Sequence, residues 1–165
     1  VAADLGQQFT PASAKGLITV DLDLFIRSDK DFPYMMPDPT TRSPHDVTIG
    51  LQGLADNQPF AQVRAIDGTW RIWDGTAYVD TKKVVNYDVW NHLQLSIDSR
   101  ELKYRLIVQP VGEVPTVIAE AACGVAVKPG EKLNLKVKPS ATADHISCYD
   151  NIVVTKLGTA AAASR

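Results

Sequence analysis

Two aspartates stand two residues apart in Val20-Asp21-Leu22-Asp23-Leu24. On a β-strand, positions i and i+2 point to the same side, so Asp21 and Asp23 would share a face. Retaining glycoside hydrolysis needs two carboxylates about 5 Å apart, one as acid and one as nucleophile. The same spacing also arises on the solvent side of any amphipathic strand, and that is the expectation here.

A second group suits sugar binding. Trp70, Trp73, Tyr78, Tyr87 and Trp90 cluster between positions 70 and 90. Aromatic rings cover the apolar faces of a pyranose in water, and polar side chains then fix its hydroxyls. Alternation pairs Trp70 with Ile72 on one face and Arg71 with Trp73 on the other, which sends Trp70 to the core and leaves Trp73 exposed. In the run from Trp90 to Asp98, Leu93, Leu95 and Ile97 want the core, so His92, Gln94 and Ser96 point outward. Gln62 and Arg64 share a face of an earlier run. If these strands are neighbours, Arg64, Arg71, His92 and Gln94 line one polar surface, and its guanidinium groups suit a carboxylated or sulfated glycan.

Other chemistry is thinly represented. No Ser/His/Asp or Cys/His constellation is evident, and no Cys/His spacing suggests zinc. Asp29, Asp31 and Asp38 could donate oxygens to calcium, but Lys30 lies between the first two, so solvated loop acids and no cofactor are expected. His45 and His145 read as surface histidines. Lys128, Lys132, Lys136 and Lys138 alternate in part with Leu133, Leu135 and Val137, as expected of an edge strand that blocks aggregation with lysine. Cys123 and Cys148 are the only cysteines. They allow one disulfide or two buried thiols, and the sequence leaves both open.

The elements that must position these residues are short strands. Patterns run over 17–26, 47–52, 60–67, 69–74, 76–80, 83–87, 90–98, 101–109, 114–122, 132–138 and 145–156. In the first, Ile18, Val20, Leu22, Leu24 and Ile26 face one way, and Thr19, Asp21, Asp23 and Phe25 the other. Asp67-Gly68, Asp74-Gly75 and Pro129-Gly130 are turn signals. Pro33, Pro37, Pro39 and Pro44 exclude a central strand or continuous helix from 27 to 46, a loop long enough to be functional. No helical period or repeat is evident. The expected fold is an all-β, antiparallel two-sheet jelly-roll β-sandwich.

The 165 residues are 45% hydrophobic and 22% charged, with a net charge of −2. This balance argues against a dedicated nucleic-acid binder, and no apolar run is long enough for a membrane span. One domain over 1–157 is expected, with 158–165 as a tail or linker. The chain begins at Val1 without an apolar signal segment, so a mature chain or a part of a larger multidomain protein is expected.

Several runs resemble the concanavalin A-like lectin/glucanase superfamily, in its laminin-G-like jelly-roll branch. Trp90-Asn91-His92-Leu93-Gln94-Leu95-Ser96-Ile97-Asp98 is similar to its Trp-x-His strand, and Leu102 to Val108 to the strand that follows. Tyr149-Asp150-Asn151-Ile152-Val153-Val154 resembles its closing segment, and Phe60 to Thr81 the preceding hairpins. The likeness covers 16–157. It implies that Trp90 is a core tryptophan. It also implies a carbohydrate-binding module, or an accessory domain of a carbohydrate-active protein that is extracellular, periplasmic or on the cell surface. Such a domain would bind a polysaccharide or oligosaccharide on the concave sheet face, through Arg64, Arg71, Trp73, Tyr78, His92 and Gln94.

The alternatives are a polysaccharide lyase or glycoside hydrolase using the same face, and a structural or protein-binding domain. Hydrolytic members carry Glu-x-Asp-x-(x)-Glu along a strand, and Val20 to Leu24 lacks glutamate. Lyases need a His or Tyr base, an Arg or Asn that neutralises the uronate, and a Gln. The residue types occur in His92, Tyr78, Arg64, Arg71 and Gln94, but Ser99-Arg100-Glu101-Leu102 only grazes the lyase motifs.

Overall fold

A computed structural model describes residues 8–9, 16–28, 47–54, 56–66, 68–124, 132–139 and 147–158. Among the described residues eleven strands run in chain order: β1 (Gln8–Phe9), β2 (Gly16–Ile26), β3 (Val47–Gly53), β4 (Pro59–Ile66), β5 (Thr69–Trp73), β6 (Tyr78–Val84), β7 (Trp90–Asp98), β8 (Lys103–Pro110), β9 (Thr116–Ala122), β10 (Leu133–Pro139) and β11 (Ser147–Gly158). They form a six-stranded sheet, β1-β10-β3-β4-β5-β6, and a five-stranded sheet, β11-β2-β7-β8-β9. Every pairing is antiparallel. The molecule is the expected all-β sandwich, and the described residues contain no helix.

Period-two patterning builds the core. Along β2 the even positions are buried and the odd ones partly exposed. Leu22, Leu24, Leu93, Leu95, Ile97 and Leu106 from one sheet, with Ile49, Leu51, Val63 and Ala65 from the other, are all 0% exposed. Two sheets with one apolar face each must bury those faces against each other. Trp70 is in this core at 1% exposure, as its parity requires.

Several expectations change. The two strands expected over 76–80 and 83–87 are the single β6, whose Lys82 has a positive φ. The lysine strand β10 pairs with β3 along its length and with the two-residue β1 only at Leu133 and Asn134, so among the described residues the stretch with Lys136 and Lys138 has one strand neighbour, as expected near a sheet edge. β11 extends to Gly158, opposite Gly16. Cys123 and Cys148 are free thiols, the first buried and the second exposed. Cys148 lies on β11 and Cys123 follows β9, the two opposite edges of one sheet. Four strand spacings separate those edges by roughly 19 Å, far beyond disulfide reach. Burial pushes the Cys123 thiol up to about 12. Asp29, Asp31, Asp38, His45, Lys128, Pro129, Gly130, His145 and residues 159–165 lie outside the described residues.

Candidate functional site

The six residues expected on one surface divide between two. Arg64, Arg71, Trp73 and Tyr78 lie on the six-stranded sheet, and His92 and Gln94 on the five-stranded one. The outward faces of a sandwich point away from each other, so the single polar surface is corrected to two. The sequence could not decide this, because alternation gives the face of a strand and not the sheet to which it belongs.

On the six-stranded sheet, register brings the four residues together. Arg64 stands opposite Arg71, Arg71 opposite Asp80, and Trp73 opposite Tyr78. Cross-strand partners are the closest side-chain neighbours in a sheet. The Arg64 guanidinium lies 5.0 Å from the centre of the Tyr78 ring, in cation–π range. Trp73 and Tyr78 meet edge to face at 5.2 Å. The Tyr78 hydroxyl donates to Gln62 Oε1 at 2.7 Å, and Gln52 Nε2 donates to Asn57 Oδ1 at 3.0 Å.

Gln62 shares the outward parity of Arg64 yet is 1% exposed. Polar residues facing away from the core and still shielded mark a recessed surface. Burial raises the pKa of the Tyr78 phenol, and the Arg64 charge partly offsets it. Gly124 closes one end of this cluster. Its N–H donates to Phe60 O at 2.7 Å, and a Cβ there would lie 2.0 Å from Pro59 O and 3.3 Å from Trp73 Nε1.

The five-stranded sheet carries a different cluster. Asp21 stands opposite Gln94, Asp23 opposite His92, and Phe25 opposite Trp90. Gln94 Nε2 donates to Asp21 Oδ1 at 2.8 Å. His92 Nδ1 lies 2.8 Å from Asp23 Oδ1, and its Nε2 lies 3.6 Å from Asp21 Oδ1. From β11, Asn151 Nδ2 donates to Asp23 Oδ2 at 2.6 Å. Asn151 reaches the face because β11 bulges between Asp150 and Val153, with Asn151 at φ 51°. Bulges re-aim side chains, and asparagine tolerates the left-handed region.

Hydrogen bonds from Asn151 and then His92 hold the Asp23 carboxyl below the usual value of 3.8. A carboxylate with a lowered folded pKa adds stability above its unfolded value, and that stability is lost as pH falls through the folded one. Asn151→Gly keeps the backbone and removes the main donor. Asp23 should then titrate closer to the ordinary carboxylate value in carboxyl NMR. An unchanged Asp23 midpoint would show that Asn151 does not set it.

Beside this cluster opens a cleft of about 500 Å³, lined by Asp23, Trp90, His92, Gln109, Pro110, Val111, Gly112 and Asp150. Trp90 is 39% exposed, which corrects its expected place in the core. Its parity with His92 and Gln94 points outward, against what the family likeness implies. Phe25 supports the indole at 5.7 Å between ring centres. The part played by Asn151 had no signal in the alternation, because the bulge shifts the parity there.

Neither a protein-family model nor a curated protein matches the chain. Solved structures do. The catalytic domain of a glycoside hydrolase family 131 protein from Coprinopsis cinerea matches at 10% identity and TM-score 0.51, over 86% of this chain and 56% of that one. The GH131 β-glucanase catalytic domain from Podospora anserina matches at 12% and 0.56, over 93% and 64%. Lectin II from Ulex europaeus matches at 8% and 0.58, over 93% and 78%. The chain thus spans less than two thirds of either glucanase domain. What these proteins share with it is the fold, and that fold is the concanavalin A-like jelly-roll sandwich.

Proposed function

We propose that this domain binds a glycan on the outer face of the six-stranded sheet, as the non-catalytic part of a carbohydrate-active protein working outside the cell or at its surface. The observation that carries the reading is the recessed cluster in which Arg64 stacks on Tyr78, Trp73 meets Tyr78 edge to face, and shielded Gln62 accepts from the tyrosine. Rings for the sugar faces and guanidinium groups for anionic substituents form a coherent glycan-binding set, and the buried Gln62 amide holds Tyr78 in place beneath it. β-Glucanase and lectin domains with the same fold, the latter including a galactose complex, support the carbohydrate class.

Binding is favoured over catalysis by where the candidate catalytic groups lie. Asp21 and Asp23 are tied to Gln94, His92 and Asn151 on the five-stranded sheet, away from the arginines and rings of the glycan cluster. A tyrosine base for lyase chemistry needs a lowered pKa, and that of Tyr78 is raised. His92, the other candidate base, is on the opposite sheet from both arginines.

The test is a glycan array that includes uronic and sulfated polymers. Arg71→Ala and Trp73→Ala should each weaken binding at least tenfold, on the order of 1.4 kcal/mol. His92→Ala, on the other face, should leave it within twofold. Failure to bind any anionic glycan would overturn the reading, as would binding that both face variants retain.

A further inference from the structure

The cleft on the five-stranded sheet has no part in that reading, and its chemistry is opposite in sign. We infer that it is a second, separate site for an ammonium-bearing sugar, a glucosamine-type residue, held between the Trp90 ring and the carboxylates of Asp23 and Asp150.

Three observations carry the inference. First, the cleft has a usable shape and an aromatic wall: its volume of about 500 Å³ lies in the range of small-molecule sites, and Trp90 is an exposed indole in its lining. Second, Asp23 and Asp150 are direct cross-strand partners. Like charges directly opposite in a sheet are destabilising, and a cation between them relieves the repulsion. Asn151 and His92 keep Asp23 ionised but leave it a carboxylate. Third, among the described residues no lysine or arginine lines the cleft, and the imidazole there, His92, is engaged with Asp23. Arg105, outward on β8, is two rows from Gln109, about 13 Å along the strand.

The ligand class follows. An ammonium group pairs with the carboxylates and lies against the indole, whose face attracts cations. The sugar ring covers the apolar part of the wall, at Trp90 and Val111. Gln109 donates to Glu113 O at 2.9 Å, which fixes its amide at the cleft edge. Its remaining amide capacity faces hydroxyls. A uronate or sulfate would meet two carboxylates here, so the two faces of the sandwich select for opposite charges.

The experiment titrates the whole chain with a glucosamine tetramer, its fully N-acetylated counterpart and tetralysine, by calorimetry at low salt. The glucosamine tetramer should bind at least tenfold tighter than the acetylated one. Trp90→Ala should cost at least tenfold. Asp150→Asn should weaken binding while raising the melting temperature of the free protein, because it removes the like-charge pair. Arg71→Ala and Trp73→Ala should bind the glucosamine tetramer within twofold of the parent, which separates this site from the opposite face. Equal binding of the acetylated tetramer would overturn the ammonium assignment. Binding insensitive to Trp90→Ala and matched by tetralysine would reduce the cleft to bulk negative charge and overturn the site.

Discussion

Gly50→Ala should unfold this domain or leave it barely stable. Gly50 is in the middle of β3, opposite Gln62 on β4 and Lys136 on β10, with φ at 140°. Only glycine occupies that backbone region without strain. A Cβ built there would lie 2.1 Å from Ala61 O and 2.8 Å from Gln62 Cα. Both contacts are backbone, so no side chain can rotate away, and relief requires β3 and β4 to separate in the centre of their sheet. The cost is on the order of 4 kcal/mol or more, the exceptional end of single substitutions and a large share of the 5–15 kcal/mol that holds a typical domain together. Gly68→Ala is the control. Gly68 also has a positive φ, at 79°, but nothing lies within 4 Å of its added Cβ. It should lose only about 1 kcal/mol, from backbone preference alone. Urea midpoints of the two variants decide the matter: equal losses would show that the close approach to Ala61 relaxes at no cost.

Gly50 also shows what a sequence hides. Nothing in Val47-Thr48-Ile49-Gly50-Leu51-Gln52 marks the glycine as indispensable, because the atom it makes room for belongs to another strand. The period-two signal was legible wherever one face of a strand met the core. β2 and most of β7 were readable by alternation, including the outward Asp21, Asp23, His92 and Gln94, although Ser96, outward by parity, is buried. Trp90 follows the same parity: alternation with His92 and Gln94 points it outward, where the family likeness implies a core tryptophan. Sheet membership was hidden for a different reason. β5 and β7 are separated by a single strand in sequence yet lie in different sheets, and connections between sheets look like connections within one. Asn151 was hidden by a bulge, which breaks the rule that made everything else readable.

The division of the candidate residues has a chemical consequence. A mixed surface of Arg64, Arg71, His92 and Gln94 would have suited an anionic glycan throughout. The actual arrangement puts both arginines with Trp73 and Tyr78, and surrounds His92 with Asp21 and Asp23. His92 therefore has carboxylates near both ring nitrogens and is a member of an acidic hydrogen-bonded row, not a partner of the guanidinium groups. Each face is internally consistent, and substitutions on one should not disturb ligands on the other.

Tyr104 is where the two faces meet through the core, and its substitution should be the second large effect. It points inward from β8 at 2% exposure, and its hydroxyl lies 2.7 Å from Gln62 O and 2.5 Å from Trp73 O, on β4 and β5 of the other sheet. A hydroxyl has one proton, so the two carbonyls share a single donor. Burial drives the phenol pKa far above its ordinary value of 10.0, so the donor is protonated at every working pH. Tyr104→Phe keeps the ring and leaves buried carbonyls without that donor, at a cost of about 1–3 kcal/mol. Tyr104→Ala also opens a cavity and should lose about 3–5 kcal/mol. The difference between the variants separates ring packing from the hydrogen bond. Because the accepting carbonyls belong to Gln62 and Trp73, the phenylalanine variant should also weaken anionic glycan binding on the six-stranded sheet, while ligands of the Trp90 cleft are unaffected. A Phe variant within about 0.5 kcal/mol of the parent in urea, with unchanged glycan affinity, would show that the hydroxyl neither ties the sheets together nor positions the residues above it.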